Sequence, residues 1–125
     1  MNEFTITGWD ESTHKEQDNI KLSHASVTQS YVGILEGAAE ISYQMVYTDK
    51  TKASYIGTER FEGTIDGRVG SVMFVHRGTY ANGKVTSNFE VVPDTGTGEL
   101  KGILGKGKFA SGESQSVSYT FDYDL

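Results

Sequence analysis

Two dipeptides constrain this chain more than any other feature: Asp66-Gly67 and Asn82-Gly83, each set between runs that alternate apolar and polar residues. A two-residue type I′ turn needs positive φ at both central positions, and Asp-Gly and Asn-Gly adopt it readily. Such a turn also fixes which residues face each other across the hairpin. Residues 55–92 therefore read as three strands in two hairpins. The first turn pairs Ile65 with Arg68, Phe61 with Val72, Glu59 with Phe74 and Gly57 with His76. The second pairs Ala81 with Lys84, His76 with Phe89 and Phe74 with Val91.

One face of this unit carries Tyr55, Phe61, Val72, Phe74, Phe89 and Val91, with Gly57, Glu59, His76, Gly78 and Ser87 among them. The other is mostly polar. The aromatic face belongs in the core, because burying it removes the larger apolar area from water. Glu59 and His76 are the unusual residues there, one diagonal apart on neighbouring strands.

The rest of the chain follows the same grammar. Phe4 to Glu11 reads as a first strand containing Trp9, and Asp18-Asn19 as a turn. Ile20 to Val32 is a second strand with ambiguous faces: Ile20, Leu22 and Val32 fall on one, Val27 and Tyr31 on the other. Gly33 to Gly37 bends, Ala39 to Tyr47 forms a third strand, and Asp49 to Lys52 turns. Pro93 ends the sixth strand, since proline cannot continue a ladder. Leu100 to Phe109 reads as a seventh strand, punctuated by Gly102, Gly105 and Gly107. Ser111-Gly112 reads as a turn and Val117 to Leu125 as a last strand. Helical periodicity is absent. The expectation is one all-β domain, 1–125, of about eight antiparallel strands, the count at which a sheet closes into a small barrel. A sandwich is the alternative.

Charge and composition narrow the partners. A net charge of −6 argues against nucleic acid, which calls for a basic patch. Without cysteine there is neither a disulfide framework nor thiol chemistry. The opening MNEFTITGWDES has no basic and apolar signal-peptide regions, and no apolar run approaches a membrane span. A soluble, cytoplasmic protein is the expectation.

Candidate chemistry centres on Glu59 and His76, an acid–base pair inside a cavity or a buried pair that satisfies itself. A ligand pocket around them would draw on Tyr43, Tyr55, Phe74 and Phe89, with Gly57 and Gly78 leaving room. His14, His24 and His76 lack metal-ligand spacing, so no metal is expected. Gly102, Gly107 and Lys108 approach a phosphate-loop pattern, but Phe109 stands where Ser or Thr would hold magnesium and no helix follows. No cofactor is expected. No G-x-S-x-G elbow marks a nucleophile. On the outer face Ile56, Met73, Val75 and Val92 form an apolar patch that Arg60 and Arg77 frame, an expected contact between copies of the chain.

Several motifs together resemble the DUF3224 family of uncharacterised bacterial proteins. They are Trp9, Gly57-Thr58-Glu59-Arg60, Gly63-Thr64-Ile65-Asp66-Gly67-Arg68, His76-Arg77-Gly78-Thr79, Gly96-Thr97-Gly98-Glu99-Leu100 and Asp122-Tyr123-Asp124-Leu125. Asp94 and Thr95 depart from the family's usual Gly and Ser. The resemblance implies an allene oxide cyclase-like, and so lipocalin-like, eight-stranded barrel. Barrels of that kind hold apolar or phenolic molecules and steer reactive intermediates. Two readings follow: a lumen that binds a small apolar or phenolic molecule, with isomerase or cyclase chemistry on Glu59 and His76, or a filled, non-catalytic interaction module.

Overall fold

The computed structural model describes residues 1–111 and 116–125. Its strands are β1 (Glu3–Gln17), β2 (Ile20–Val32), β3 (Leu35–Asp49), β4 (Lys52–Ile65), β5 (Arg68–Ala81), β6 (Lys84–Val91), β7 (Leu104–Ser111) and β8 (Ser116–Asp124). Each pairs antiparallel with the next, and β1 pairs with β8, so the eight strands form one ring. Among the described residues the only helical turn is a 3-10 turn, Gly98–Leu100. No helix there is long and apolar enough to cross a membrane.

The two turn dipeptides behave as their chemistry requires. Asp66 and Gly67 have φ of 51° and 84°, and Asn82 and Gly83 have 53° and 83°. The register expected of β4, β5 and β6 is the register observed, from Ile65 opposite Arg68 to Phe74 opposite Val91. Asp18 and Asn19 form a further positive-φ turn between β1 and β2.

Strand lengths differ from the sequence expectation where alternation is weak. β1 continues to Gln17, with register shifts between Ile6 and Gly8 and between Thr13 and Lys15. In β2 the ambiguous faces resolve against the larger aliphatics. Ser23, Ala25, Val27, Gln29 and Tyr31 are buried, while Ile20, Leu22 and Val32 are exposed. Ala25 stands opposite Tyr43 and Val27 opposite Ile41, so small groups on β2 make room for large ones on β3. β7 starts at Leu104 and not Leu100, because the chain first coils through the 3-10 turn and sends Leu100 and Ile103 into the core. The turn expected at Ser111-Gly112 lies outside the described residues from Gly112 onward.

The ring has two unlike ends. At one, Leu35, Ile65, Leu100 and Ile103 are at most 1% exposed and plug the interior. The Tyr119 hydroxyl accepts from the Leu35 N–H at 2.9 Å and donates to the Val32 carbonyl at 3.1 Å, tying the plug to β8. The 92–100 segment runs beside β5 there. β6 pairs with β5 only from Phe74 upward, which leaves the lower edge of β5 without a strand partner on that side. Side chains of the 92–100 segment supply the acceptors. The N–H groups of Val69, Ser71 and Met73 donate to Glu99 Oε1, Thr97 Oγ1 and Thr95 Oγ1 at 3.0, 3.0 and 3.1 Å. In return Thr97 and Val92 N–H groups donate to the carbonyls of Ser71 and Met73. The opposite end carries the 18–19 and 82–83 turns, and among the described residues no comparable plug fills it.

Candidate functional site

β4 and β5 bring Glu59 and His76 to the same inner face, where they are 0% and 1% exposed. His76 Nε2 hydrogen-bonds Glu59 Oε1. The Tyr31 hydroxyl donates to Glu59 Oε2 at 2.5 Å, and Gln29 Nε2 donates to the Tyr31 oxygen at 2.8 Å. The carboxylate therefore accepts on both oxygens. With Nε2 as donor, His76 Nδ1 is left buried with no hydrogen-bond partner among the described residues. Burial, and then the charge of Glu59, push the Tyr31 hydroxyl well above the usual phenol range, and the Tyr43 hydroxyl likewise.

Rings pack tightly around this pair. Phe89 stacks on the His76 imidazole at 5.3 Å, Tyr43 meets it edge-on at 5.8 Å, and Phe74 packs on Phe89 at 5.3 Å. Gly57 and Gly78, expected to leave room, instead seat aromatic rings from the neighbouring strand, as Gly107 also does. A Cβ on Gly57 would lie 2.5 Å from Tyr43 Cδ1, one on Gly78 2.6 Å from Tyr55 Cζ, and one on Gly107 2.5 Å from Phe89 Cζ. The space beside His76 is thus filled by Tyr43.

The hollow lies higher, toward the unplugged end. It is a cavity of about 230 Å³ with Trp9, Tyr43, Tyr47, Tyr55, Tyr80 and Phe109 as aromatic walls. Phe4, Ile6, Val27, Met45, Val85 and Val117 complete an apolar lining, to which Gln29 and Ser111 also belong among the described residues. Of the residues expected to bind a ligand, Tyr43 and Tyr55 line this cavity. Glu59, Phe74, His76 and Phe89 lie beneath it, with the Tyr43 ring touching both the cavity and His76.

Sequence reasoning passed over Glu11, Gln29 and Tyr31. The last two sit on the strand whose faces were ambiguous. Glu11 and Trp9 turn inward only because of the irregularity at Thr7, which sets Trp9 opposite Val27 and Glu11 opposite Ala25. At the mouth, Glu11 Oε2 accepts from Ser23 Oγ at 2.7 Å and from the Tyr47 hydroxyl at 3.0 Å, and Oε1 accepts from Trp9 Nε1 at 3.1 Å. Burial pushes the Glu11 carboxyl up, but these bonds and the charge of Lys21 outweigh it and hold the group below the usual carboxylate range. Among the described residues no group of three or more His, Cys, Asp or Glu could hold a metal ion.

A family model described as "Protein of unknown function (DUF3224)" matches residues 1–123. Among solved structures, a protein with unknown function from the DUF3224 family of Shewanella oneidensis MR-1 is similar, with a TM-score of 0.77 at 22% identity. The match covers 100% of this chain and 97% of that one. At that identity the likeness speaks for the fold. No curated protein matches the chain.

Proposed function

We propose, for a chain that belongs to the DUF3224 family, that the protein holds a small apolar or phenolic molecule in the open end of its ring. On this reading the ring is a closed barrel of the allene oxide cyclase kind, filled at its base and hollow at its mouth. The observation that carries the proposal is the cavity of about 230 Å³, walled by aromatic rings, above a plugged and close-packed lower half. Eight-stranded rings have room for one small ligand when side chains leave the lumen unfilled. Apolar walls with a few polar groups are the usual make-up of such sites.

Trp9 is the only tryptophan in the chain and lines the cavity, so it reports on occupancy. A titration with 2-phenylethanol is expected to change Trp9 fluorescence saturably and to raise the melting temperature. Val85→Trp, which fills the cavity, should abolish both effects. Neither effect appearing at millimolar ligand would overturn the proposal.

A second reading is favoured by the unpartnered Nδ1 of His76. In an isomerase- or cyclase-type step, Nδ1 takes a proton from one atom of the guest and returns it to another, while Glu59 balances the imidazolium charge. No further reactant is consumed. The guest reaches Nδ1 only when the Tyr43 ring swings aside, so Tyr43→Ala should raise the rate of any such conversion.

A further inference from the structure

We infer that the polar end of the guest is a cationic amine, held at the cavity mouth by the Glu11 carboxylate and the aromatic faces of Trp9 and Tyr47. The site then takes amines ahead of alcohols of the same shape and rejects carboxylates. This rests on the reading that the cavity holds a guest.

Four observations converge. First, Glu11 is bonded to two residues that themselves line the cavity, Trp9 and Tyr47, which places its charge at the rim of an otherwise apolar space. Second, the carboxylate is not used up. Two oxygens offer about four acceptor positions, and three donors are present, two on Oε2 and one on Oε1. Among the described residues one position on Oε1 stays available to an N–H donor.

Third, the wall already receives an ammonium. Lys21 Nζ lies 4.3 Å from the centroid of the Tyr47 ring. Among the described residues no ion pair joins Lys21 to Glu11. The chain's own cation thus lies over the face of the ring and acts on Glu11 through its charge, without a direct ion pair that would fill the carboxylate's remaining acceptor position. Ring faces attract cations through their quadrupole, and Trp does so best. Trp9 lies beside Tyr43, with ring centroids 6.4 Å apart.

Fourth, the floor is unfavourable to anions. The charge of Glu59 acts on Tyr43, which lines the cavity and packs on His76 beneath it. A guest carboxylate would meet Glu11 above and the field of Glu59 beneath, and no cationic side chain is among the described residues that line the cavity.

A matched series separates this inference from the reading beneath it: 2-phenylethylamine, 2-phenylethanol and 3-phenylpropionate, titrated calorimetrically at neutral pH. The amine is expected to bind about tenfold more tightly than the alcohol, the margin of a charge-assisted hydrogen bond, and the propionate least. Glu11→Gln should bring the ratio of amine to alcohol affinity close to one. Amine and alcohol binding equally, a preference for the propionate, or an amine preference that survives Glu11→Gln would overturn the amine assignment while leaving the cavity reading in place. No binding by any of the three would overturn both. Should Glu11→Gln not fold, the wild-type ranking still decides.

Discussion

At the scale of single residues, Glu59 shows what a buried charge requires here. It accepts from Tyr31 and His76 at once, so Glu59→Gln turns one of two acceptors into a donor that faces another donor. A buried group left without a partner costs about 1–3 kcal/mol, and urea denaturation should show a loss of that size. Under the binding reading the same variant should change 2-phenylethanol affinity little, because the Tyr43 ring stands between the pair and the cavity. A large loss of affinity with unchanged stability would point instead to direct contact. The tyrosines set an alkaline limit. Burial raises Tyr31, Tyr43, Tyr47, Tyr55 and Tyr119; the charge of Glu59 adds to it at Tyr31 and Tyr43, Glu11 adds to it at Tyr47, which reaches about 12, and hydrogen bonds offset part of it at Tyr55 and Tyr119. The unfolded chain gives up these protons near pH 10, while the folded chain keeps them. Their stabilisation is therefore complete below about pH 10 and is lost as pH rises toward the folded values. Absorbance of phenolate is expected to appear together with unfolding in that range; full tyrosine ionisation near pH 10 with the fold intact would contradict this. The pair itself was legible in the sequence, since the Asp66-Gly67 turn fixes both strands. Tyr31 and Glu11 were not, because the alternation of β2 is ambiguous and β1 carries two irregularities that the Asp18-Asn19 turn does not reveal.

At the scale of elements, the 92–100 segment shows a loop standing in for a strand. Thr95, Thr97 and Glu99, at two-residue spacing, present side-chain oxygens where a neighbouring strand would present carbonyls. This gives the Gly96-Thr97-Gly98-Glu99-Leu100 motif a structural role. A Cβ on Gly70 would lie 2.1 Å from the Thr97 carbonyl oxygen, so the two backbones touch. Thr97→Val keeps the shape and removes the acceptor for the Ser71 N–H. The expected result is about 1–3 kcal/mol of destabilisation with faster amide exchange at Ser71; unchanged exchange would assign the motif another role. Hydrophobic alternation and turn chemistry made β4, β5 and β6 readable to the residue. They are silent about this segment, whose order comes from side chains bonding to main chain. For the same reason the sequence placed the start of β7 at Leu100, an apolar residue that serves as plug and not as strand.

At the scale of the whole molecule, the outside of the ring carries the next testable expectation. Ile56 and Val75 are 51% and 41% exposed, and Met73 and Val92 are half-buried where the 92–97 segment runs beside β5. Leu22 pairs with Val46 on the same outer face, and both are exposed. Exposed aliphatics in one band favour contact between copies. Light scattering is expected to give a dimer or larger assembly that Val75→Glu dissociates; a monomeric wild type would remove the idea. The seam has a different consequence. Every other pair joins strands consecutive in the chain, whereas β1 and β8 meet at three described pairs, Glu3 with Ser118, Phe4 with Val117 and Thr5 with Ser116. Loop closure across nearly the whole chain is entropically the slowest joint to make. Hairpins should therefore assemble first, with the two chain ends zipping together in the final kinetic phase. The same joint should be the first to part in the native state. Phe4 and Ile6 border both it and the cavity, so parting of the seam would loosen the cavity wall.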